Sequence, residues 1–466
     1  MRHGRPIIRP IILVGLTVVY AASWRAYATN GWITASLPKH LGKVLPLFVK
    51  SVPADLSDSL VQRRLAIAVV VTLISVGAVC WVATRAKRSI ICLLVAVPAI
   101  FATNAVIARI RGGRDSFVDP YSRPTMEYFH DVPLVADAPL RFARDYVALH
   151  PRLSHHAATH PPGGVLFLWI GSKVFGPSID AAAWWSVAFG ALGVAPAYWL
   201  AQLVGGSAAA RRLVPLHLVT PNLVLFGATS MDAVFLVFLL MSLATAIAAM
   251  HRTSVLRVVV AGAALWLAAF MSFAAIAVPV LLVAYALLAS LQRPATWTRL
   301  LLCTLGIGVV FMSLQLLVEW TVGYDLIAAA RAAVAQDYKG MQITGYESFT
   351  LWWQISLGNL LAFCFDTGLA AMALFTMALA ASLWYGHMGE SRRRLTAFAQ
   401  AMALGLVVLA GATLFTLETE RVWVFLAPAV LVVGASQLKG GLTWSLVLLA
   451  QLAQTLSTEL LVNTRW

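Results

Sequence analysis

A chain of 466 residues that is 60% apolar and only 11% charged is not an ordinary soluble domain, in which about a quarter of residues are charged. Its formal net charge of +15 would suit either nucleic acid or a membrane surface. The placement of that charge, taken up below, makes nucleic acid unnecessary, and no Walker loop or aromatic-basic module is present.

The apolar runs predict an all-α polytopic membrane protein with about 13 transmembrane helices, each needing about 20 apolar residues. They are expected near 8–24, 64–84, 89–109, 180–203, 213–228, 231–250, 257–273, 274–292, 299–319, 366–386, 397–416, 422–438 and 441–462. The first is basic and then apolar, like a signal peptide, but no small-residue cleavage site closes it. It is therefore read as a retained span. Five segments follow from this pattern: N-terminal transmembrane helices (1–109), an acidic extracytoplasmic loop with juxtamembrane helices (110–179) and a transmembrane core (180–319). A second extracytoplasmic loop with an interfacial helix (320–365) precedes the C-terminal transmembrane helices (366–466). The short apolar stretches 162–176 and 351–365 are expected to lie at the surface or to re-enter. Cys80, Cys92, Cys303 and Cys364 fall inside apolar runs without metal-ligand spacing and read as small core residues.

With the N-terminus inside, the short loops on that face carry Arg85, Lys87, Arg88, Arg211, Arg212, Arg252, Arg257, Arg293, Arg299, Arg392, Arg393, Arg394 and Lys439, with one acid, Glu390. This obeys the positive-inside rule and sets the excess charge against the anionic cytoplasmic leaflet. Lys39, Lys43, Lys50, Arg63 and Arg64 run against it, in or next to a long loop that crosses regardless of charge. The remaining acids gather on the extracytoplasmic side of a multi-pass protein of the inner (cytoplasmic) membrane. That is the side on which such a protein is expected to work.

The polar segment 111–164 holds Asp115, Asp119, Glu127, Asp131, Asp137 and Asp145 together with five histidines, and ends on His160-Pro161-Pro162-Gly163. Nothing this polar lies in hydrocarbon, and joining two spans does not require so long a connection. One carboxylate here is expected to act as a general base. Glu127 and Asp131, four apart, share a face if the stretch is α-helical. Each acid alternatively caps a turn or pairs with Arg123, Arg141 or Arg144. Pro161 and Pro162 start the next helix cleanly, leaving His160 at the membrane surface, able to donate to a phosphate or hydroxyl. His155, His156 and His160 leave a divalent metal open, although the spacing has no strong metal-site pattern. Asp232 opens a span, where it either lines the site or caps the helix. Arg421 offers a fork suited to phosphate, unless Glu418 or Glu420 occupies it, and Trp423 reads as an interfacial anchor.

In order, these motifs resemble the polytopic GT-C glycosyltransferases, in particular the protein O-mannosyltransferase and aminoarabinose-transferase-like branch. The residues that carry the likeness are His160-Pro161-Pro162 after an acidic first loop, Gly176, Tyr198, Arg211-Arg212, Asp232, and late Arg421, Trp423 and Pro428. The likeness covers 110–250, and 418–435 in pattern only. It implies a polyprenyl-phosphate sugar donor, transfer with inversion on the extracytoplasmic face, a loop carboxylate as base, no nucleotide, and a glycan, lipid or protein acceptor. The Asp-Glu pair that usually opens the first loop is absent, so the base falls among Asp119, Glu127 and Asp131. Asp131 is favoured for its separation of 29 residues from His160. His160, His156, Asp232, Arg421 and Glu418 are then the expected substrate-binding residues, and Arg421 and His160 the cationic partners of the leaving phosphate. Met271-Ser272-Phe273 stands where many members carry a Thr-Lys, which leaves the donor group open. Two of the spans before the loop look like an N-terminal addition. The rival reading, a transporter or flippase for lipid-linked glycans, predicts broken or charged helices at the midplane and internal repeats. The sequence contains no such repeat.

Overall fold

The computed structural model describes residues 13–19, 22, 53–85, 88–341, 346–383, 389–413, 419–438 and 441–462. Of the span expected at 8–24, only 13–19, which are helical, and residue 22 fall among them. Helices α1 (Ser59–Arg85) and α2 (Ser89–Ile107) pack together as a hairpin, and the polar segment follows them. It consists of α3 (Arg114–Ser122), a 3-10 turn over Tyr128–Val135, and the short helices α4 (Pro139–Arg144), α5 (Tyr146–Leu149) and α6 (His155–Thr159). The apolar body then runs through α7 (Gly163–Phe175), α8 (Ile179–Ala191), α9 (Val194–Val219), α10 (Pro221–Thr229), α11 (Asp232–His251), α12 (Val255–Met271), α13 (Ala277–Gln292) and α14 (Trp297–Val322). A second polar stretch forms α15 (Leu326–Met341). It is followed by α16 (Phe349–Thr367), α17 (Leu369–Leu383), α18 (Glu390–Gly411), α19 (Thr419–Val422), α20 (Ala427–Gln437) and α21 (Leu442–Leu461).

Among the described residues, seven helices are long and apolar enough to cross a membrane, or eight if the bent pair α16–α17 counts as one. This is a multi-pass membrane protein, and its described residues hold fewer uninterrupted spans than the runs of apolar letters suggest. The expected spans at 180–203 and 213–228 are resegmented: α8 and α9 meet at Gly193, α9 continues past 203 with a kink at Gly206 (φ 80°), and α10 is a separate short helix. The helix at 257–273 is only 17 residues long, and the one at 422–438 reduces to an apolar piece over Val424–Gln437. The stretch 351–365 does not stand apart from 366–386: α16 and α17 form one pair bent by 109°.

Helix α11 is the central post. In its most apolar window 83% of residues are buried, against 17% for α14 at the rim, most of whose leucines are exposed. Small residues allow the close approaches around this post. A side chain at Gly190 or Gly193 would meet Ala233 or Leu236 of α11, and one at Gly163 would meet the Phe270–Met271 backbone. Helix α21 is 20 residues long, but its inner face is polar. Gln451 Nε2 donates to the Thr367 carbonyl (3.0 Å), Gln454 Nε2 to the Phe365 carbonyl (2.6 Å), and the Leu369 N–H donates back to Gln454 Oε1 (2.9 Å). These amides satisfy the backbone groups that the α16–α17 break exposes, which in an apolar bundle would otherwise remain without partners. Arg111 likewise donates to the carbonyls of Glu459 and Val462 at the end of α21 (2.7 and 2.9 Å) and lies 3.7 Å from the Glu459 carboxylate.

The two polar stretches meet, since α15 packs against α6. Cys92 and Cys303 are buried, Cys80 and Cys364 half-buried, and all four are free thiols.

The α16–α17 break provides a test. Gly368 has φ +96°, and a β-carbon there would strike the buried amide of Gln451. Gly368→Ala is expected to cost about 2–3 kcal/mol from strain and displaced hydrogen bonds. Gly389→Ala, which has nothing around it, stays within about 0.5 kcal/mol. Denaturant unfolding in detergent micelles measures both.

Candidate active site

The polar segment is folded back on itself by backbone bonds before any side chain contributes. His155 and His156 N–H groups donate to the Thr125 and Met126 carbonyls (2.9 and 3.0 Å), which sets Glu127 next to α6. Tyr146, fully buried, directs its hydroxyl at the carbonyls of Ala157 and His160 and pins the far end of that helix. Gly164 then leaves room for the Tyr128 ring, which a β-carbon there would touch at 3.0 Å.

Glu127 and Asp131 do not share a face. The stretch is a 3-10 turn with Glu127 as its N-cap and Pro133 inside it, so residues four apart diverge. Asp131 is 3% exposed and bound to Ser154: it accepts the Ser154 hydroxyl at 2.6 Å and the Ser154 N–H at 3.1 and 3.2 Å. Burial pushes its carboxyl up while the Ser154 bonds hold it back. Both oxygens therefore serve to fix the residue that caps α6. The carboxylate favoured from spacing is thus a brace for the loop in this structure.

Glu127 has the surroundings expected of a base. It is 5% exposed. One oxygen lies 3.1 Å from the Arg123 guanidinium, and the other shares a 3.1 Å hydrogen bond with His156 Nδ1. Burial pushes this carboxyl up to about 7; Arg123 and Arg421 pull it down, and Asp232 adds to the rise. Near neutral pH the group is divided between acid and base, as proton transfer requires.

The third element comes from elsewhere in the chain. Asp232, at the first turn of α11, accepts from Arg421 Nη1 at 3.0 Å across 189 residues, and from the Ser230 hydroxyl at 2.5 Å. Both side chains of this ion pair are nearly buried, at 7% and 6% exposure. Arg421 is held there by its neighbours: Thr419 donates to the Asn359 carbonyl at 2.9 Å, and Trp423 packs edge-on to Phe363. Trp423 is 1% exposed, so it is a core wedge and not the interfacial anchor its sequence context suggests. Glu418 lies outside the described residues.

His160 completes the cluster with a different role from the expected one. Its Nδ1 faces the His156 carbonyl at 3.1 Å and must donate to it, so the neutral ring offers Nε2 as an acceptor. The imidazole stacks on Phe235 and meets Tyr128 edge-on, with centroids 5.5 and 5.7 Å apart. Burial pushes it down to about 4. At neutral pH it is therefore an uncharged acceptor, which leaves Arg421 as the charged one of the two cations expected there. Asp119 sits half-buried on α3, and its carboxylate makes no ion pair or hydrogen bond with a described residue. Of the loop's other acids, Asp145 pairs with Arg141 and Arg144 (3.4 and 2.8 Å) and Asp137 with Lys173. No group of three His, Cys, Asp or Glu among the described residues could hold a metal ion.

The structure thus brings together Glu127, His156, His160, Asp232 and Arg421. The charges of Asp232 and Arg421 act on both Glu127 and His160. Tyr128, Phe235, Ser154 and Ser230 were not legible as site residues. Nothing local in the sequence separates these two aromatics from core residues, and the serines gain meaning only from their partners.

No protein-family model matches the chain, and no curated protein matches it. Among solved structures, the crystal structure of the Archaeoglobus fulgidus oligosaccharyltransferase in complex with Zn and sulfate is similar over 61% of this chain, at 16% identity and a TM-score of 0.27. The match spans 45% of that protein's length.

Infrared titration of the protein carrying isotope-edited glutamate tests the electrostatics. The Glu127 band, identified by its loss in Glu127→Gln, is expected to titrate near 7. Arg123→Gln is expected to move that midpoint upward, because it removes the largest opposing charge. A midpoint at the ordinary 4.5, unmoved by Arg123→Gln, would contradict the assignment.

Proposed function

We propose that this protein is a membrane glycosyltransferase of the GT-C kind, moving a sugar from a polyprenyl-phosphate donor to an acceptor on the extracytoplasmic face of the inner membrane. The observation that supports the reading best is the convergence of a neutral-range carboxyl, Glu127, with a buried guanidinium, Arg421, where a polar loop meets an apolar bundle. A polyprenyl tail needs a lipid-facing surface and its phosphosugar a polar rim, and this cluster joins the two environments.

Glu127 takes the proton of the acceptor hydroxyl, whose oxygen attacks the anomeric carbon. The bond from that carbon to the phosphate oxygen breaks, and the polyprenyl phosphate leaves with its electrons. Arg421 stabilises the charge that gathers on the departing phosphate, a form of catalysis that depends on donors already in place. Asp232 and Ser230 orient Arg421, and His156 orients Glu127. Asp131, through Ser154, positions the helix that carries His156. His160 accepts a hydrogen bond from a donor hydroxyl through Nε2.

The 109° bend between α16 and α17 favours the transporter reading, because broken helices mark transport sites. The glutamines of α21 fill that break, which accounts for it structurally and leaves transport as the second reading.

Mass spectrometry of co-purified lipid identifies the donor class, and turnover in proteoliposomes then tests the reaction. Glu127→Gln is expected to lower kcat by about 100-fold or more, the range for general-base loss, with donor binding retained. The wild-type rate is expected to rise with pH and level off above about 7, as Glu127 ionises. Lipid movement without release of polyprenyl phosphate would instead establish the transporter.

A further inference from the structure

The end of the bundle away from Glu127 carries a second built site. Helix α11 runs 20 residues from Asp232 to His251, about 30 Å at 1.5 Å per residue, which is roughly the thickness of the hydrocarbon core. At its far end the helix termini enclose an open cleft of about 530 Å³. Four arginines line it, Arg293, Arg299, Arg393 and Arg394, against a single acid, Glu390. Glu390 is paired with Arg394, and Arg299 donates to the His251 carbonyl at 3.4 Å. Arg293 and Arg393 make no ion pair with any described residue, yet both act electrostatically on Glu390 and so face the same space. The N-termini of α14 and α18 border the cleft, and their backbone dipoles favour an anion. In its wall, His251 Nε2 meets the Tyr285 hydroxyl at 2.9 Å, while buried Nδ1 has no hydrogen-bond partner among the described residues.

We infer that this cleft binds a phosphate group, and that the headgroup of an anionic phospholipid supplies it. Convergent guanidinium forks with uncompensated charge match phosphate oxygens in both geometry and sign. The surroundings match a lipid. Leu291 and Trp297 are 78% and 46% exposed beside the cleft, and α14 leads away from it with Leu301, Leu302 and Leu305 facing outward. Acyl chains have an apolar track to follow from the phosphate, and Trp297 sits where interfacial tryptophans do. Basic pockets between helix ends recognise lipid headgroups on this physical basis.

Native mass spectrometry of the full chain in detergent, titrated with phosphatidylglycerol, phosphatidylcholine or inorganic phosphate, tests the assignment. Phosphatidylglycerol is expected to be retained over phosphatidylcholine. The double variant Arg293→Gln, Arg393→Gln is expected to weaken that retention about tenfold or more. The charge-matched control Arg252→Gln, Arg257→Gln, on the same end but outside the cleft, is expected to change it less than twofold. Glu390→Gln, which removes the one repelling carboxylate, is expected to tighten it. Retention of inorganic phosphate alone, lost in the same double variant, would support the phosphate site and overturn the lipid source. Equal loss in both double variants, or no loss in either, would overturn the site itself. All four arginines tested are exposed or half-exposed, and unchanged thermal unfolding in lipid-free detergent verifies that the variants fold.

Discussion

The buried ion pair between Asp232 and Arg421 is the constraint on which the site depends. Withdrawing two charges from water costs several kcal/mol per ion, recovered only when geometry and further hydrogen bonds are good. Asp232 meets that condition with Arg421 at 3.0 Å and Ser230 at 2.5 Å. Because the partners lie 189 residues apart, the pair cannot form until the last third of the chain has closed over α11. It therefore links completion of the bundle to completion of the cluster around Glu127.

From this pair outward, each residue of the polar segment acquires a distinct task. Asp131 braces Ser154, Ser154 starts α6, and α6 presents His156 to Glu127. Glu127 is left with a desolvated carboxyl whose charge is balanced by Arg123 and Arg421 against Asp232. His160, on the apolar side of Tyr128 and Phe235, stays neutral. Two carboxylates four positions apart thus end in different roles because a 3-10 turn directs them to different neighbours.

Much of this was legible in the sequence. Composition and apolar runs specified a multi-pass helical protein, and the contrast between a polar island and its surroundings located the loop. Glu127, His160, Asp232 and Arg421 were singled out because ionisable groups in an apolar chain are costly and few. The different surroundings of the acids were not legible. They depend on Ser154, 23 residues from Asp131, and on Pro133 favouring a tighter turn than an α-helix. Trp423 was misread because a tryptophan near a span end is equally suited to the interface and to the core; only its contact with Phe363 decides. Among the described residues, fewer helices run uninterrupted than the apolar runs suggest, for a related reason. Apolar letters do not record where a Gly206 kink or the amides of Gln451 and Gln454 let a helix break. The basic residues, which the sequence shows as a sign of orientation and as charge set against an anionic leaflet, include four that the fold gathers into one cleft at the other end of α11.

A double-mutant cycle on Asp232 and Arg421, read as unfolding free energy in detergent, tests the account most directly. Asp232→Asn and Arg421→Gln each break the buried pair by removing one member of it, so each should cost about 3–5 kcal/mol. The double variant should cost much less than their sum, giving a coupling of about 2 kcal/mol or more. Costs that add to within about 0.5 kcal/mol would mean that the two residues do not hold the site together, and the account would be contradicted.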